Sequence, residues 1–219
     1  KEEFPDASVH RRNTGYTLDA LLDRQPFNEK GKPFSLCPLI AGSEGTLFFI
    51  TEITVFLDPL PPPHKRMVVA HFDSITKSLQ AVVPAMEHEL QTCELMDKAV
   101  LDCTKNNKSQ LQNRFFIKKD PQALLFLELA KNTEEEIERA TEALCQSLYE
   151  CGAYAMPVLK GSEIHRALDL RKSGLGALGN MVGDAKAVAC VEDTAVPLPQ
   201  LSDFIEEFTA LMSRHNQQA

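Results

Sequence analysis

From residue 67 onward the chain alternates β-type runs with amphipathic helical stretches, and this alternation limits its fold more than any other feature. MVVAHF (67–72) reads as a strand. Ser74 is placed to cap a helix that carries Ile75, Leu79, Val82, Val83 and Met86 on one face. Glu89 to Met96 reads as a second strand, followed by a short helical or turn region to about Lys105. ALLFLELA (123–130) is almost wholly apolar and reads as a third. Thr133 and Glu136 have capping-box spacing ahead of a helix with the stripe Ile137, Ala140, Leu144 and Leu148. AYAMPVL (153–159) and AVACV (187–191) complete the strand set. A last helix from about Pro199 turns Leu201, Phe204, Ile205, Phe208, Leu211 and Met212 inward. Such a pattern predicts an α+β fold, in its preferred form a ferredoxin-like βαββαβ antiparallel sheet with helices on one face, over residues 64–216.

Residues 1–60 have a different character. They offer a loop, a short helix around Leu18–Leu22 and a polar insertion from Asp23 to Phe34. A turn, Gly42-Ser43-Glu44-Gly45-Thr46, then feeds the β-type run LFFITEITVFL, which halts at Asp58-Pro-Leu-Pro-Pro-Pro63. Glycine lets backbone approach a ligand closely because it carries no Cβ. A strand of this length needs pairing partners that the segment itself does not supply. The prolines read as a stiff linker.

The 219 residues are 43% hydrophobic and 25% charged, as in an ordinary globular protein of one large domain or a domain plus a piece. A formal net charge of -8 argues against an extended nucleic-acid surface, and Arg11-Arg12 and Lys118-Lys119 are too short to reverse that. No stretch approaches the roughly 18 apolar residues of a transmembrane helix, and KEEFPDASVHRRN has no signal-peptide core. Without an initiator Met, the chain reads as excised from something longer. The six cysteines, at 37, 93, 103, 145, 151 and 190, form no C-x-x-C pair. They read first as buried reduced thiols of a cytoplasmic protein, with a disulfide or redox role as the alternative.

Arg171, in SEIHRALDLRKSG, lies seven residues beyond Ile164 and so returns to within about 20° of the same helical face, whereas Arg166 points roughly opposite. An arginine in line with an apolar stripe needs an anionic partner, either a carboxylate side chain or a bound anion. Gly174, Gly176, Gly179 and Gly183 follow, in a segment that is neither a Walker loop nor a dinucleotide fingerprint. It reads as a closely approached loop at a site or as a flexible surface loop. Lys186 is either a second cation for the same anion or a solvated lysine. Glu192 and Asp193, adjacent at a strand end, point to opposite faces and read as solvated or capping groups rather than joint metal ligands. The histidines show no metal spacing, and no residue is assigned to catalysis or to metal.

Four segments in order carry a resemblance: N13-T-G-Y-T-L18, LIAGSEGTLFFITEITVFLDPLPPP, L170-R-K-S-G, and GDAKAVACVEDTAVPLPQL. Together they resemble FAD-linked oxidases of the vanillyl-alcohol-oxidase type, in the D-lactate, glycolate and D-2-hydroxyglutarate dehydrogenase group, and especially large bacterial members fused to an iron–sulfur module. Where such enzymes often carry a lysine before the strand-end acid, this chain has Val191. The resemblance implies that residues 1–60 end the FAD-binding domain and that residues 64–216 form most of the substrate-binding cap. It implies that Asn13, Thr14, Gly15, Tyr16, Gly42, Ser43, Glu44, Gly45 and Thr46 line FAD, and that Arg171, with Lys186, holds the substrate carboxylate. It implies hydride transfer from a D-2-hydroxy acid to FAD in the parent protein, with an iron–sulfur cluster outside this chain. The main FAD-binding region and the catalytic and metal-binding histidines are expected beyond the two ends, so that this stretch alone is expected to be inactive. The implied setting is the cytoplasm or the inner face of the inner membrane, and the electron acceptor is left open. The competing reading is a non-enzymatic ferredoxin-like domain that senses an anion or serves assembly.

Overall fold

The computed structural model describes residues 4–5, 9, 15–105, 107–178, 188 and 194–217. They fall into two compact units, Lys1–Pro59 with Val191–Pro197, and Leu60–Cys190 with Leu198–Ala219.

The second unit is built on four antiparallel strands: β1 (His64–Phe72), β2 (Thr92–Asp97), β3 (Ala123–Lys131) and β4 (Val158–Leu159). Their order is β2-β3-β1-β4, with His64 opposite Lys131 and Phe72 opposite Ala123 in the central pair. Both β1 and β3 are buried almost throughout. On one face Val68, Ala70 and Phe72 pack with Leu125, Leu127 and Leu129 beneath α3 (Ile75–Ala85) and α5 (Glu134–Glu150). On the other, Met67, Val69, Leu124, Phe126 and Leu159 meet Phe116, α4 (Lys98–Cys103) and α6 (Ser162–Leu178). The expected α+β, ferredoxin-like order is present, with α4 and α6 adding cover to the second face. Each fully buried leucine contributes on the order of 2 kcal/mol by leaving water.

Local signals set the helix starts. Ser74 Oγ accepts a hydrogen bond from the Lys77 amide at 3.2 Å. Thr133 and Glu136 form the reciprocal capping box of α5, which buries Ile137, Leu144 and Leu148. The Asp97 carboxylate caps α4 through the Val100 amide at 2.9 Å. The face of α3 is narrower than its sequence implies. Leu79 and Val82 are buried, whereas Ile75, Val83 and Met86 sit on an exposed rim. Pro84 lies in the last turn of α3, a 3-10 turn follows, and Glu89 adopts a left-handed conformation, so β2 starts at Thr92 rather than Glu89. The final helix, α7 (Leu201–Arg214), packs against α3 through a mostly half-buried apolar face.

Three expectations change, and one lies outside the described residues. The run at 153–159 lies along β1, with His71 N–H donating to Ala155 O and Val69 N–H to Pro157 O. Pro157 has no N–H to return, so the regular ladder is confined to Val158–Leu159. Gly174 and Gly176 are not in a loop: α6 continues through them to Leu178. A Cβ on Gly174 would overlap Val100 Cγ1 and lie 3.2 Å from Met96 Cε, so glycine here allows close helix packing. The AVACV strand, with Val191, falls outside the described residues apart from Val188, which is exposed and in no strand. The five described cysteines are free, four half-buried and Cys37 exposed, and Cys190 is not described.

The first unit holds α1 (Leu18–Leu22) and α2 (Cys37–Ala41), which touch each other. Its predicted long strand does not form. Residues 47–57 have no regular structure, and Phe49 and Phe56 are 92% and 105% exposed. Period-two apolar patterning makes a strand only where an open edge accepts its amides and carbonyls. Among the described residues no edge does so.

Candidate functional site

In the first unit, the two segments singled out by sequence meet. The Tyr16 hydroxyl and Thr46 Oγ1 are 2.8 Å apart. Thr46 Oγ1 also donates to Ser43 O, and buried Ser43 returns its hydroxyl to Ile40 O at 2.8 Å, tying the turn to the end of α2. Gly15 and Gly45 have φ values of +64° and +73°, a conformation that disfavours any Cβ. At both positions the space a Cβ would enter is open. Glu44 shares the left-handed conformation at φ 49°. Gly42 is needed for a different reason: a Cβ would lie 2.7 Å from Thr17 Oγ1. The result is a pair of glycine-opened turns held in fixed register by one hydroxyl pair. Asn13 and Thr14 lie outside the described residues.

In the second unit, the sequence-predicted Arg171 stands at the margin of the buried stripe of α6, where Ile164, Ala167, Leu170 and Gly174 pack inward. Its Nε lies 2.8 Å from Glu94 Oε2 on β2, with the two side chains 45% and 35% exposed. Among the described residues, Glu94 is the carboxylate paired with this guanidinium. Glu94 is a residue sequence reading missed. Its signal was position, two residues before inward-facing Met96 on the same strand face. Arg166, on another side of the helix, stacks on Phe115 at 4.3 Å and donates to Asn113 Oδ1 and Gln112 O, fastening the loop before β3. Lys186, Glu192 and Asp193 lie outside the described residues.

Two other polar clusters have occupied donors. A cavity of about 380 Å³ is lined by His64, Lys65, Arg66, Glu128, Ile164 and His165. Its basic side chains at 64–66 are already matched, Lys65 to Glu128 at 2.9 Å and both Arg66 and His64 to Glu134. His71, fully buried on β1, has Nδ1 2.9 Å from Val69 O, and its Nε2 accepts from the Lys118 amide at 3.1 Å. Among the described residues no group of histidine, cysteine and acidic side chains could hold a metal ion.

Residues 61–219 match the family described as FAD linked oxidases, C-terminal domain, and the chain belongs to that family. Over 221 residues, 96% of this chain, it is 33% identical to D-2-hydroxyglutarate dehydrogenase of Haemophilus influenzae. Over 225 residues, 98% of this chain, it is 32% identical to D-2-hydroxyglutarate dehydrogenase of Escherichia coli K12. Each alignment covers 21% of the relative, so the chain spans about a fifth of the length of these relatives. A D-lactate dehydrogenase of Anaerostipes hadrus is 27% identical over 78% of this chain and 36% of its own length.

Proposed function

We propose that the chain forms the substrate cap, residues 64–216, and the last wall of the flavin site, residues 1–60, of a dehydrogenase that oxidises a D-2-hydroxy acid. The observation that carries this reading is its alignment, along 96% of its length, with a D-2-hydroxyglutarate dehydrogenase. FAD, when bound, supplies the electron acceptor for the hydride leaving the substrate carbon. The chain's own residues position and enclose. Gly15, Tyr16 and the turn Gly42–Thr46 bring bare backbone and two hydroxyls to one side of the cofactor, with Asn13 and Thr14 assigned to the same wall. Arg171 offers its Nη fork to the substrate carboxylate, a geometry suited to bidentate recognition, and Lys186 adds a second positive charge. The remaining walls, the proton-accepting base and any iron–sulfur cluster are assigned to parts of the dehydrogenase other than this chain. Phe49, Ile53, Phe56 and Leu57 in the exposed run at 47–57 are assigned to a sheet of that flavin domain.

Steady-state kinetics on the flavin-loaded protein test the reading. Arg171→Ala should raise KM for D-2-hydroxyglutarate about ten- to hundredfold at unchanged flavin content, the loss expected for one charge-assisted carboxylate clamp. An unchanged KM removes Arg171 from the site.

A further inference from the structure

We propose that Glu94 and Gly174 are positioning residues for Arg171, setting the direction and reach of its guanidinium toward the substrate carboxylate. The inference rests on the reading of Arg171 as the carboxylate clamp. Three observations lead to it. First, a carboxylate oxygen of Glu94 lies 2.8 Å from Arg171 Nε. A carboxylate at that edge holds the guanidinium in place, and a planar group with five N–H donors has capacity for a second, incoming carboxylate. Second, both side chains are too exposed for the pair to contribute much stability, so its geometry, more than its strength, is what the fold gains from it.

Third, Gly174 lies three residues beyond Arg171, on the next turn of α6, and packs on Met96, two residues beyond Glu94 on the same face of β2. Met96–Gly174 and Glu94–Arg171 are therefore successive rungs between one strand and one helix. The depth of the first rung sets the spacing of the second. A Cβ at position 174 would strike Val100 Cγ1 on α4 and press on Met96 Cε, lifting α6 away from α4 and so from the end of β2. The glycine that looked like part of a loop is thus a spacer. It brings the helix close enough for the acid on the strand to hold the arginine.

The test uses the flavin-loaded protein with D-2-hydroxyglutarate as probe, together with nitrogen–proton spectra of the arginine side chains in this chain. Glu94→Gln should raise KM about five- to tenfold while kcat and flavin content stay constant. The melting temperature should move by no more than about 2 °C. In the spectra, the Nε–H signal of Arg171, identified by its loss in Arg171→Lys, should shift in Glu94→Gln. Gly174→Ala should raise KM in the same way, and adding Val100→Ala, which removes the clashing methyl groups, should restore it. A KM that rises in Arg171→Lys but not in Glu94→Gln overturns the positioning role and leaves the clamp standing. If KM is unchanged in Arg171→Lys as well, the clamp falls and this inference with it. A fall in KM on Glu94→Gln also overturns the proposal, since Glu94 would then be competing with substrate for the guanidinium.

Discussion

At the scale of single residues, burial decides which polar groups are costly. His71 is completely enclosed between strands and the Lys118 amide, with Tyr154 edge-on at 5.9 Å. Burial pushes its imidazole below the ordinary range, and nearby Lys118 adds to that, against the opposing bonds to the Val69 and Ala155 backbone. The unfolded chain therefore takes up this proton more readily than the folded one. The stability His71 contributes is complete above about pH 6.5 and is lost as pH falls through that value toward the depressed folded value. Urea unfolding at pH 7.5 and 5.5 should show this acid-side loss, reduced in His71→Asn. Ser202 makes the opposite case. Its hydroxyl is buried in α7 with no hydrogen-bond partner among the described residues. Ser202→Ala should stabilise the fold by about 1 kcal/mol in the same experiment, because an unsatisfied buried hydroxyl is removed.

At the scale of elements, what could be read in the sequence was what a segment specifies by itself. The Ser74 cap, the Thr133–Glu136 box and the apolar 123–130 run each carry their own start, stop or burial pattern, and each is found in the structure. Thr133→Ala should cost about 1 kcal/mol in urea unfolding, since it leaves the Glu136 amide without its cap. The misread elements depend on something not written in the segment. The run at 47–57 has strand patterning, but pairing needs an edge supplied from elsewhere. Gly174 and Gly176 lower helix propensity locally, and the closeness of Val100 that calls for glycine at 174 is visible only in the folded chain. The candidate site divides in the same way. Arg171 was visible from helical spacing, whereas its partner Glu94 belongs to a strand 77 positions earlier and becomes a neighbour only through sheet topology.

At the scale of the whole molecule, the two units differ in how fully they enclose themselves. The second buries two apolar clusters on opposite faces of one sheet. The first leaves Phe49, Ile53, Phe56 and Leu57 largely in water. Replacing Phe49 and Phe56 with Lys should raise the solubility limit of the chain and reduce its self-association in sedimentation velocity, because exposed apolar segments with unpaired backbone associate with one another. In the reading proposed above, the turns at Gly15 and Gly42–Thr46 are one wall of a cofactor site whose other walls belong to the rest of the dehydrogenase. The chain purified by itself should accordingly lack a stoichiometric flavin absorbance band.

The strand order β2-β3-β1-β4 also has a consequence in time. The two central strands are first and third along the chain, so their first pairing, Phe72 with Ala123, closes a loop of about fifty residues. β2 likewise pairs with β3, its Asp97 opposite the same Ala123, so neither β1 nor β2 has a strand partner until β3 is made. During synthesis the stretch from β1 to β2 must therefore wait, with its apolar face uncovered, until β3 leaves the ribosome. Folding should then proceed as one late, cooperative event rather than strand by strand.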